Sequence, residues 1–308
     1  MGISKNRIFA IQQNYMYIKN IGERMNETFQ KIEKLLGKPY HETDFGVIYN
    51  MDCETGIDRI KDLLCINATI TSPPYNIGKE YESVIDNEKY IDWLKRIFGL
   101  CSDATTSNGA LLLNIGYFKI EGIGHSVPIS YLIWNKINMF FQQEIVWNYG
   151  AGVSAKNYLS PRNEKILWYV KDKDNYTFNL DEIRDPDVKY PNQKKNGKLR
   201  CNTIGKNPSD VWQIAKVTSG ANRSSVERTD HPAQFPVDLI DRLVKGFTNK
   251  NEIILEPFIG SGTVAEVAIK NNRYYLGFEI SERYCEICAK RIENCIKEQF
   301  SLIPFGIE

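Results

Sequence analysis

Residues 252–279 read EIILEPFIGSGTVAEVAIKNNRYYLGFE, a segment in which β-type and helical patterns alternate. The apolar residues 253–255 predict a buried strand, a turn with glycines at 260 and 262 follows, and residues 264–270 have a helical pattern. A second β-rich run over 274–278 ends in Glu279. Because a helix that joins two such strands makes them parallel, the stretch predicts a β-α-β unit of an α/β protein.

The glycine turn and Glu279 together point to a nucleoside cofactor. Glu279 lies 19 residues beyond Gly260, and a carboxylate about 20 residues past such a turn binds ribose hydroxyls in dinucleotide-binding folds. Ala265 replaces the third glycine of the dinucleotide fingerprint, so the loop is a weak match to a pyrophosphate cradle. S-adenosylmethionine needs less phosphate-binding machinery than NAD does, and the pattern favours it. A glycine turn without any ligand is the alternative.

The second motif is Ser72-Pro73-Pro74-Tyr75, directly after the apolar run 68–71. The Ser72 hydroxyl and the Pro73 carbonyl are acceptors, held by two prolines of fixed φ. They can hold the hydrogens of a nucleobase amino group while its nitrogen attacks an electrophilic methyl group, and the Tyr75 ring can stack on an extruded base. A rigid turn that ends the strand is the alternative interpretation of the proline pair.

With both motifs present, the chain resembles the permuted β-class of DNA amino-methyltransferases of bacterial restriction-modification systems, over residues 45–295. Four blocks carry the resemblance in the family's order: TSPPYN at 71–76, HPAQFP at 231–236, EPFIGSGT at 256–263 and GFE at 277–279. The resemblance implies a doubly wound, mostly parallel Rossmann-like α/β sheet with a target-recognition insertion. It further implies S-adenosylmethionine as cofactor, double-stranded DNA as substrate and a restriction endonuclease that acts on the same site.

The resemblance also assigns residues to roles. It implies catalytic roles for Ser72, Pro73, Pro74 and Tyr75. The residues that it implies as cofactor contacts are Asp52, His231, Phe258, Gly260, Gly262, Thr263 and Glu279. Asp52 matches the position that contacts the cofactor's adenine, although an Asp after a short strand is more often a turn former. His231 is interpreted as helix-entry structure or a cofactor contact, because attack by an amino group needs no prior base.

The resemblance favours cytosine N4 as the target. Relatives that act on adenine usually carry Asp at the position of Ser72, whereas Ser is typical of those that act on cytosine N4. A neutral serine stabilises a developing positive charge less than a carboxylate does, but it does not exclude adenine. Adenine N6 methylation and a catalytically silent DNA-recognition subunit therefore stay open as alternatives. A nicotinamide oxidoreductase is disfavoured by Ala265.

The charge pattern predicts where DNA binds. The net charge of +1 over 308 residues does not indicate a nucleic-acid-binding protein, but binding depends on the local field. Between Val188 and Ser209 there are six basic residues and no Asp or Glu. The residues predicted to contact DNA phosphates are Lys194, Lys195, Lys198 and Arg200. An ordinary solvated loop is the alternative.

The chain is predicted to have four parts. These are an N-terminal helical extension (1–44), a catalytic half (45–147), a target-recognition insertion (148–230) and a cofactor-binding half (231–308). Strands are predicted at 46–49, 68–71, 110–115, 143–147 and 166–170, and helices at 88–101 and 236–247. In the extension, Met25, Phe29, Ile32 and Leu36 mark one face of a helix.

Cysteine usage and hydropathy set further limits. Seven cysteines do not resemble a disulfide framework. Cys285 and Cys288 repeat with Cys295 at helical spacing, which predicts core packing rather than a zinc site, and no metal is expected. No apolar stretch approaches the roughly 18 residues of a membrane span, and no signal-peptide core is present. The sequence therefore predicts a cytoplasmic protein, either a monomer or a homodimer.

Overall fold

The structure is a computed structural model that describes residues 27–78, 84–150, 152, 154–217 and 227–301. Met25 lies outside these residues. The helices are α1 (residues 27–36), α2 (Cys53–Ile60), α3 (Asn87–Ala104), α4 (Ser130–Ile133), α5 (Val237–Phe247), α6 (Thr263–Lys270) and α7 (Glu282–Ser301). Two 3-10 turns lie at Lys61–Leu63 and Leu180–Ile183.

Most strands of the described residues belong to one sheet. In chain order the strands are β1 (His41–Thr43), β2 (Gly46–Asn50), β3 (Ile66–Thr71), β4 (Thr105–Ile115), β5 (Tyr117–Ile120), β6 (Gly124–Pro128), β7 (Phe140–Asn148), β8 (Asn163–Val170), β9 (Lys194–Lys195), β10 (Lys198–Leu199), β11 (Val211–Gln213), β12 (Ile253–Glu256) and β13 (Tyr274–Glu279). The sheet order is β1-β2-β13-β12-β3-β4-β8-β7-β11. β5 pairs with β6 and β9 with β10 as separate antiparallel ribbons.

The centre of the sheet is parallel, as predicted. β12 and β13 pair in parallel with α6 between them in sequence, and β3 and β4 pair in parallel with α3 between them. β12 also pairs directly with β3, in register Ile254 to Ala68. The cofactor motif and the SPPY motif therefore follow two neighbouring strands that run in the same direction.

Helices cover both faces of this sheet, so the fold is doubly wound. Alternate residues of each central strand face opposite layers: Leu111 packs with α1, α2 and α3, whereas Leu112 packs with α5, α6 and α7. Both leucines are fully buried. Fully burying a leucine side chain stabilises the fold by about 1.5–3 kcal/mol, so the two layers hold the strand ends in a fixed relation.

The predicted packing of α7 is confirmed, and the predicted apolar face of α1 packs on the core. Cys285, Cys288 and Cys295 are all buried in the layer that α5, α6 and α7 form. In α1, Ile32 and Leu36 are buried. The described residues contain no group of His, Cys, Asp or Glu that would suit a metal ion. None of the helices in the described ranges has both the length and the apolar character of a membrane span.

Two of the predicted parts contribute to the sheet more than expected. β8, within the predicted insertion 148–230, lies between β4 and β7 and is antiparallel to both. Its apolar run pairs on both sides, which is why it is buried although the surrounding segment is polar. β1, within the predicted extension 1–44, pairs with β2 at the sheet edge. The segment outside the sheet is therefore narrower than 148–230.

Candidate active site

The two motifs meet at the carboxyl edge of the parallel strands. The Thr71 hydroxyl, at the end of β3, donates to the Glu256 carboxyl at the end of β12. Both motifs line one cavity of about 890 Å³. Connections leave β12 toward β13 and β3 toward β4, on opposite sides, so the cavity lies at a switch point of the strand order, where open α/β sheets bind ligands.

Most of the residues predicted as cofactor contacts line this cavity. Those that do are Asp52, His231, Phe258, Gly260, Thr263 and Glu279. Gly262 instead lies behind the turn, where an added Cβ would be 2.5 Å from Cys288 Sγ. The predicted DNA contacts Lys194, Lys195, Lys198 and Arg200 are not part of the lining. The structure thus brings the catalytic and cofactor predictions together and leaves the basic residues apart.

The glycine turn is fixed by Glu279. Gly260 and Gly262 have φ values of 48° and 79°, in the left-handed region that suits glycine. The Gly260 N–H donates to Glu279 Oε2 at 3.0 Å, and the Ser281 N–H donates to Glu279 Oε1 at 2.9 Å. Burial raises the pKa of Glu279, while these backbone donors act in the opposite direction. The carboxylate therefore spans the turn and the end of β13, beside the cavity.

Glu256 places a second carboxyl beside the first. Its side chain is buried and accepts from the Thr71 hydroxyl and, at 3.2 Å, from the Phe258 N–H. Burial raises its pKa well above the usual range. A buried carboxyl is costly unless it is neutral or meets a cation. The ammonium group of an amino-acid ligand is a cation of the required kind, so Glu256 suits such a cofactor.

His231 and Asp52 border the cavity in different ways. The His231 ring packs against Tyr284 at 4.5 Å between centroids, and an added Cβ at Gly260 would lie 2.8 Å from its Nε2. Its Nδ1 accepts from the Ala233 N–H at 3.2 Å, so the ring supports the turn. Asp52 is exposed and caps α2, since its Oδ1 accepts from the Thr55 N–H at 3.0 Å.

The SPPY motif forms a directed hydrogen-bond chain. The Ser72 hydroxyl donates to Tyr75 Oη at 2.9 Å, and the Tyr75 hydroxyl donates to Glu164 Oε2 at 3.0 Å. Asn114 Nδ2 donates to Tyr75 Oη and to Glu164 Oε2, each at 2.7 Å. Burial and then Glu164 raise the pKa of Tyr75 well above its usual value. The tyrosine hydroxyl therefore keeps its proton.

The backbone of the motif is held as firmly as its side chains. The Tyr90 hydroxyl donates to the Pro74 carbonyl at 2.7 Å. Pro73 lines the cavity next to it. The Tyr75 ring packs so closely on Gly116 that a Cβ there would lie 2.7 Å from Tyr75 Cε2. One side of the ring is thus occupied by the protein.

Sequence reasoning missed the residues that complete this chain. Glu164 comes from β8 and Lys216 from the segment after β11, and Lys216 Nζ donates to Glu164 Oε1 at 2.7 Å. Lys216 Nζ also lies 3.8 Å from the centre of the Tyr149 ring. Asn114, Glu164 and Lys216 all line the cavity. No local signal marks Glu164, because it lies between Asn163 and Lys165, before the apolar run of β8.

The four predicted DNA contacts lie on an exposed hairpin. β9 and β10 are joined by Asn196 and Gly197, both with positive φ, as the tight two-residue turns of hairpins require. Lys194, Lys195, Lys198 and Arg200 are all exposed. The hairpin therefore presents its cations to solvent, as a phosphate-contacting surface would.

Known proteins of similar sequence share most of this chain's length. Residues 66–290 match the family described as DNA methylase. The type II methyltransferase M.ScaI of Streptomyces caespitosus is 51% identical over 88% of this chain and 89% of its own length. The DNA adenine methyltransferase YhdJ of Escherichia coli K12 is 31% identical over 74% of this chain and 76% of its own.

Solved structures share the fold. The cytosine-N4-specific PvuII DNA methyltransferase aligns with a TM-score of 0.66 at 18% identity, covering 85% of this chain and 94% of that chain. Two further structures of the fold, with TM-scores of 0.53 and 0.56, were solved as complexes with S-adenosylmethionine. The cavity between the two motifs here lies at the strand edge where this class of fold binds its ligands.

Proposed function

We propose that this chain, which belongs to the DNA methylase family of S-adenosylmethionine-dependent N6 and N4 amino-methyltransferases, methylates cytosine N4 in double-stranded DNA. The observation that supports the proposal is the shared cavity, in which Ser72 faces the same space as the glycine turn. A methyl donor and an extruded base can meet only if both are held within one such space. The cavity volume of about 890 Å³ is in the range of small-molecule binding sites.

The cofactor side of the cavity fits S-adenosylmethionine. When bound, this cofactor supplies an electrophilic methyl group on a positively charged sulfur. Glu279 offers a carboxylate for the ribose hydroxyls beside the Gly260 turn, and the buried Glu256 offers a partner for the ammonium group. Phe258, with its ring 5.6 Å from that of Trp93, gives an apolar wall for a flat ring. We propose that Glu279, Glu256 and Phe258 make these contacts with the cofactor. Further contacts are proposed for residues that line the same cavity: Asp52, His231, Gly260 and Thr263.

The base side supplies acceptors. We propose that the Ser72 hydroxyl oxygen and the Pro73 carbonyl accept the two hydrogens of the target amino group, and that the open side of the Tyr75 ring stacks on the base. Pro74 keeps this arrangement rigid through its bond from Tyr90. Held in line with the methyl group, the nitrogen gains most from alignment, which can contribute about 7–11 kcal/mol in favourable cases.

The choice of cytosine depends on Ser72. The serine is the feature that this class associates with cytosine N4, and the PvuII enzyme of the same fold is named cytosine-N4-specific. Adenine N6 is the second candidate, because YhdJ, a relative at 31% identity, is named a DNA adenine methyltransferase. Both bases present an exocyclic amino group to the same two acceptors, so the acceptors alone do not distinguish them.

DNA recognition is proposed for the part of 148–230 that lies outside the sheet. This part includes the β9–β10 hairpin, whose exposed cations can contact phosphates without reading sequence. M.ScaI is named a type II methyltransferase, and we propose by analogy that this chain protects a site that a restriction endonuclease cuts. We propose a monomer or homodimer in the cytoplasm.

Nucleoside analysis tests the function directly. The full-length protein would be incubated with S-adenosylmethionine and unmethylated DNA, and the DNA then digested to nucleosides. N4-methyldeoxycytidine is the expected product. N6-methyldeoxyadenosine would replace the first candidate by the second. Cofactor binding without methylation of any DNA would instead favour a silent recognition subunit.

The Ser72→Ala variant tests the catalytic role of the motif. We expect turnover to fall by about 100-fold, since one preorganised group in contact with the reacting centre contributes on that scale. The dissociation constant for S-adenosylmethionine should change little, because Ser72 lies on the base side. Ser107→Ala is the matched control, since Ser107 is exposed and does not line the cavity. Equal losses of turnover and cofactor affinity would contradict the role.

A further inference from the structure

The hydrogen-bond chain beneath Ser72 ends in a carboxylate that no motif predicts. We propose that Glu164 is a positioning residue: it fixes the direction of the chain, so that Ser72 presents only acceptor lone pairs to the target amino group. The inference rests on the proposed function, because it concerns the same site. Glu164 acts through Tyr75 and Ser72 and is not itself placed against the reacting atoms.

The direction of the chain follows from the chemistry of its members. A serine or tyrosine hydroxyl can donate or accept, but an ionised carboxylate can only accept. Glu164 therefore draws the Tyr75 hydrogen toward itself. Tyr75 Oη is then left to accept, and it does so from the Ser72 hydroxyl and from Asn114 Nδ2. The Ser72 hydrogen is thereby turned away from a ligand that brings its own donors.

Asn114 supports the same direction. Its Nδ2 donates to both Tyr75 Oη and Glu164 Oε2, so it keeps these two oxygens together and occupies the remaining acceptor capacity of the tyrosine. With one hydrogen donated and two accepted, the Tyr75 hydroxyl is saturated. The Tyr75 hydroxyl therefore cannot also donate to Ser72. If it did, the Ser72 hydrogen would be free to point toward the target amino group and would repel its hydrogens.

Lys216 supplies the positive charge that offsets the burial of Glu164. Glu164 is 9% exposed, and an unpaired carboxylate at such burial would be strongly disfavoured. Lys216 Nζ pairs with it at 2.7 Å. Burial acts to lower the pKa of Lys216, but Glu164 and then Tyr149 outweigh it, and the net shift is upward. The lysine thus stays protonated and presents a cation to the Glu164 side chain.

A charged end to the chain also strengthens each bond before it. Hydrogen bonds to ionised groups are stronger than neutral ones, and a chain polarises its members in turn. The Ser72 oxygen, which donates its hydrogen along this chain, becomes a better acceptor than an isolated serine. A neutral serine stabilises the positive charge that develops on the amino group less than an aspartate at position 72 would, and the chain offsets part of this difference.

A double-mutant cycle on the full-length protein tests the proposal. Single-turnover methylation rates and the S-adenosylmethionine dissociation constant would be measured for Glu164→Gln, Ser72→Ala and their combination. Glu164→Gln keeps the size of the side chain but lets its amide donate. We expect its rate to fall by about 10- to 100-fold, the scale of one hydrogen bond to a charged group, with the cofactor dissociation constant within about twofold of wild type. In the Ser72→Ala background the same change should lower the rate by less than about threefold.

Two further variants keep the test decisive. Glu144→Gln is the matched control, because Glu144 on β7 also pairs with a lysine, Lys165 of the neighbouring strand β8, at 3.4 Å but does not line the cavity. It should leave the rate unchanged. Tyr75→Phe removes a single hydroxyl and breaks the chain at its middle, so it serves if Glu164→Gln does not fold, and it should give a comparable loss.

Separate outcomes would overturn separate claims. A wild-type rate in both Glu164→Gln and Tyr75→Phe would refute the positioning role while the proposed function stands. An undiminished Glu164→Gln effect in the Ser72→Ala background would show that Glu164 acts elsewhere, and would also refute it. No methylation by the wild-type protein would refute the proposed function itself.

Discussion

Replacing Gly262 by alanine should destabilise the protein, and the turn geometry gives the size of the effect. Gly262 has a φ of 79° and is the residue from which α6 begins. An added Cβ would lie 2.5 Å from Cys288 Sγ and 3.3 Å from Cys288 Cα. The second contact is with the backbone of α7, which cannot move aside as a side chain can.

Two costs and one gain set the magnitude. The left-handed conformation costs a residue with a Cβ about 1–2 kcal/mol, and overpacking against a buried helix costs about 1–3 kcal/mol. The lower entropy of the unfolded alanine chain offsets about 0.4–1 kcal/mol. We expect the free energy of unfolding to fall by about 2–4 kcal/mol.

The assay is urea denaturation of the cofactor-free protein, with Gly99→Ala as the matched control. Gly99 lies inside α3 with nothing within 4 Å of an added Cβ. Alanine there should raise the free energy of unfolding by about 0.5–1 kcal/mol, because glycine is a poor helix former. The same substitution thus has opposite signs at two positions. If both variants were more stable than wild type, the close approach of the glycine turn to α7 would be refuted.

Two other predictions concern cofactor and DNA. Burial raises the pKa of Glu279, so S-adenosylmethionine affinity, measured by calorimetry, should weaken as the pH falls through that raised value. Because the pKa is raised in the folded state, Glu279 contributes more to the stability of the cofactor-free protein at low pH and less as the pH rises. The Glu279→Gln variant should reduce the pH dependence of both the affinity and the stability. If the pH dependence of the affinity did not change in this variant, Glu279 would be excluded as a cofactor contact. Replacing Lys194, Lys195, Lys198 and Arg200 by glutamine should weaken DNA binding and lower the salt slope by about 0.9 per lost phosphate contact. An unchanged slope would mean that the hairpin does not contact DNA.

The features predicted correctly are those encoded within short stretches of sequence. The β-α-β unit around the glycine turn, the crossover helix α3 and the buried cysteine face of α7 each depend on periodicity over fewer than about 20 residues. Proline and glycine mark their ends. The confirmed parallel pairing of β12 with β13 and of β3 with β4 follows from those local patterns, because a crossover helix leaves little other choice.

The pairing of β8 was not predictable in the same way. Its apolar run was recognisable as a strand, but nothing local says that it lies between β4 and β7 and runs antiparallel to both. The polar, proline-rich segments on either side of it favoured an insertion instead. Antiparallel strands can be joined by connections of any length, so the sequence between them does not specify their order in the sheet.

Glu164 was not predictable either, although it lies at the centre of the site, because local sequence does not specify contacts between distant segments. Its partners Asn114, Lys216 and Tyr75 are 50, 52 and 89 residues away in the chain. No spacing rule connects them, and only the fold of β8 into the sheet brings them together. What the structure adds is its burial: an acid that is 9% exposed is unfavourable by several kcal/mol unless it is paired. A buried acid of this kind is therefore a reason to look for its partner. Here the partner is Lys216, and Glu164 connects it through Tyr75 to Ser72.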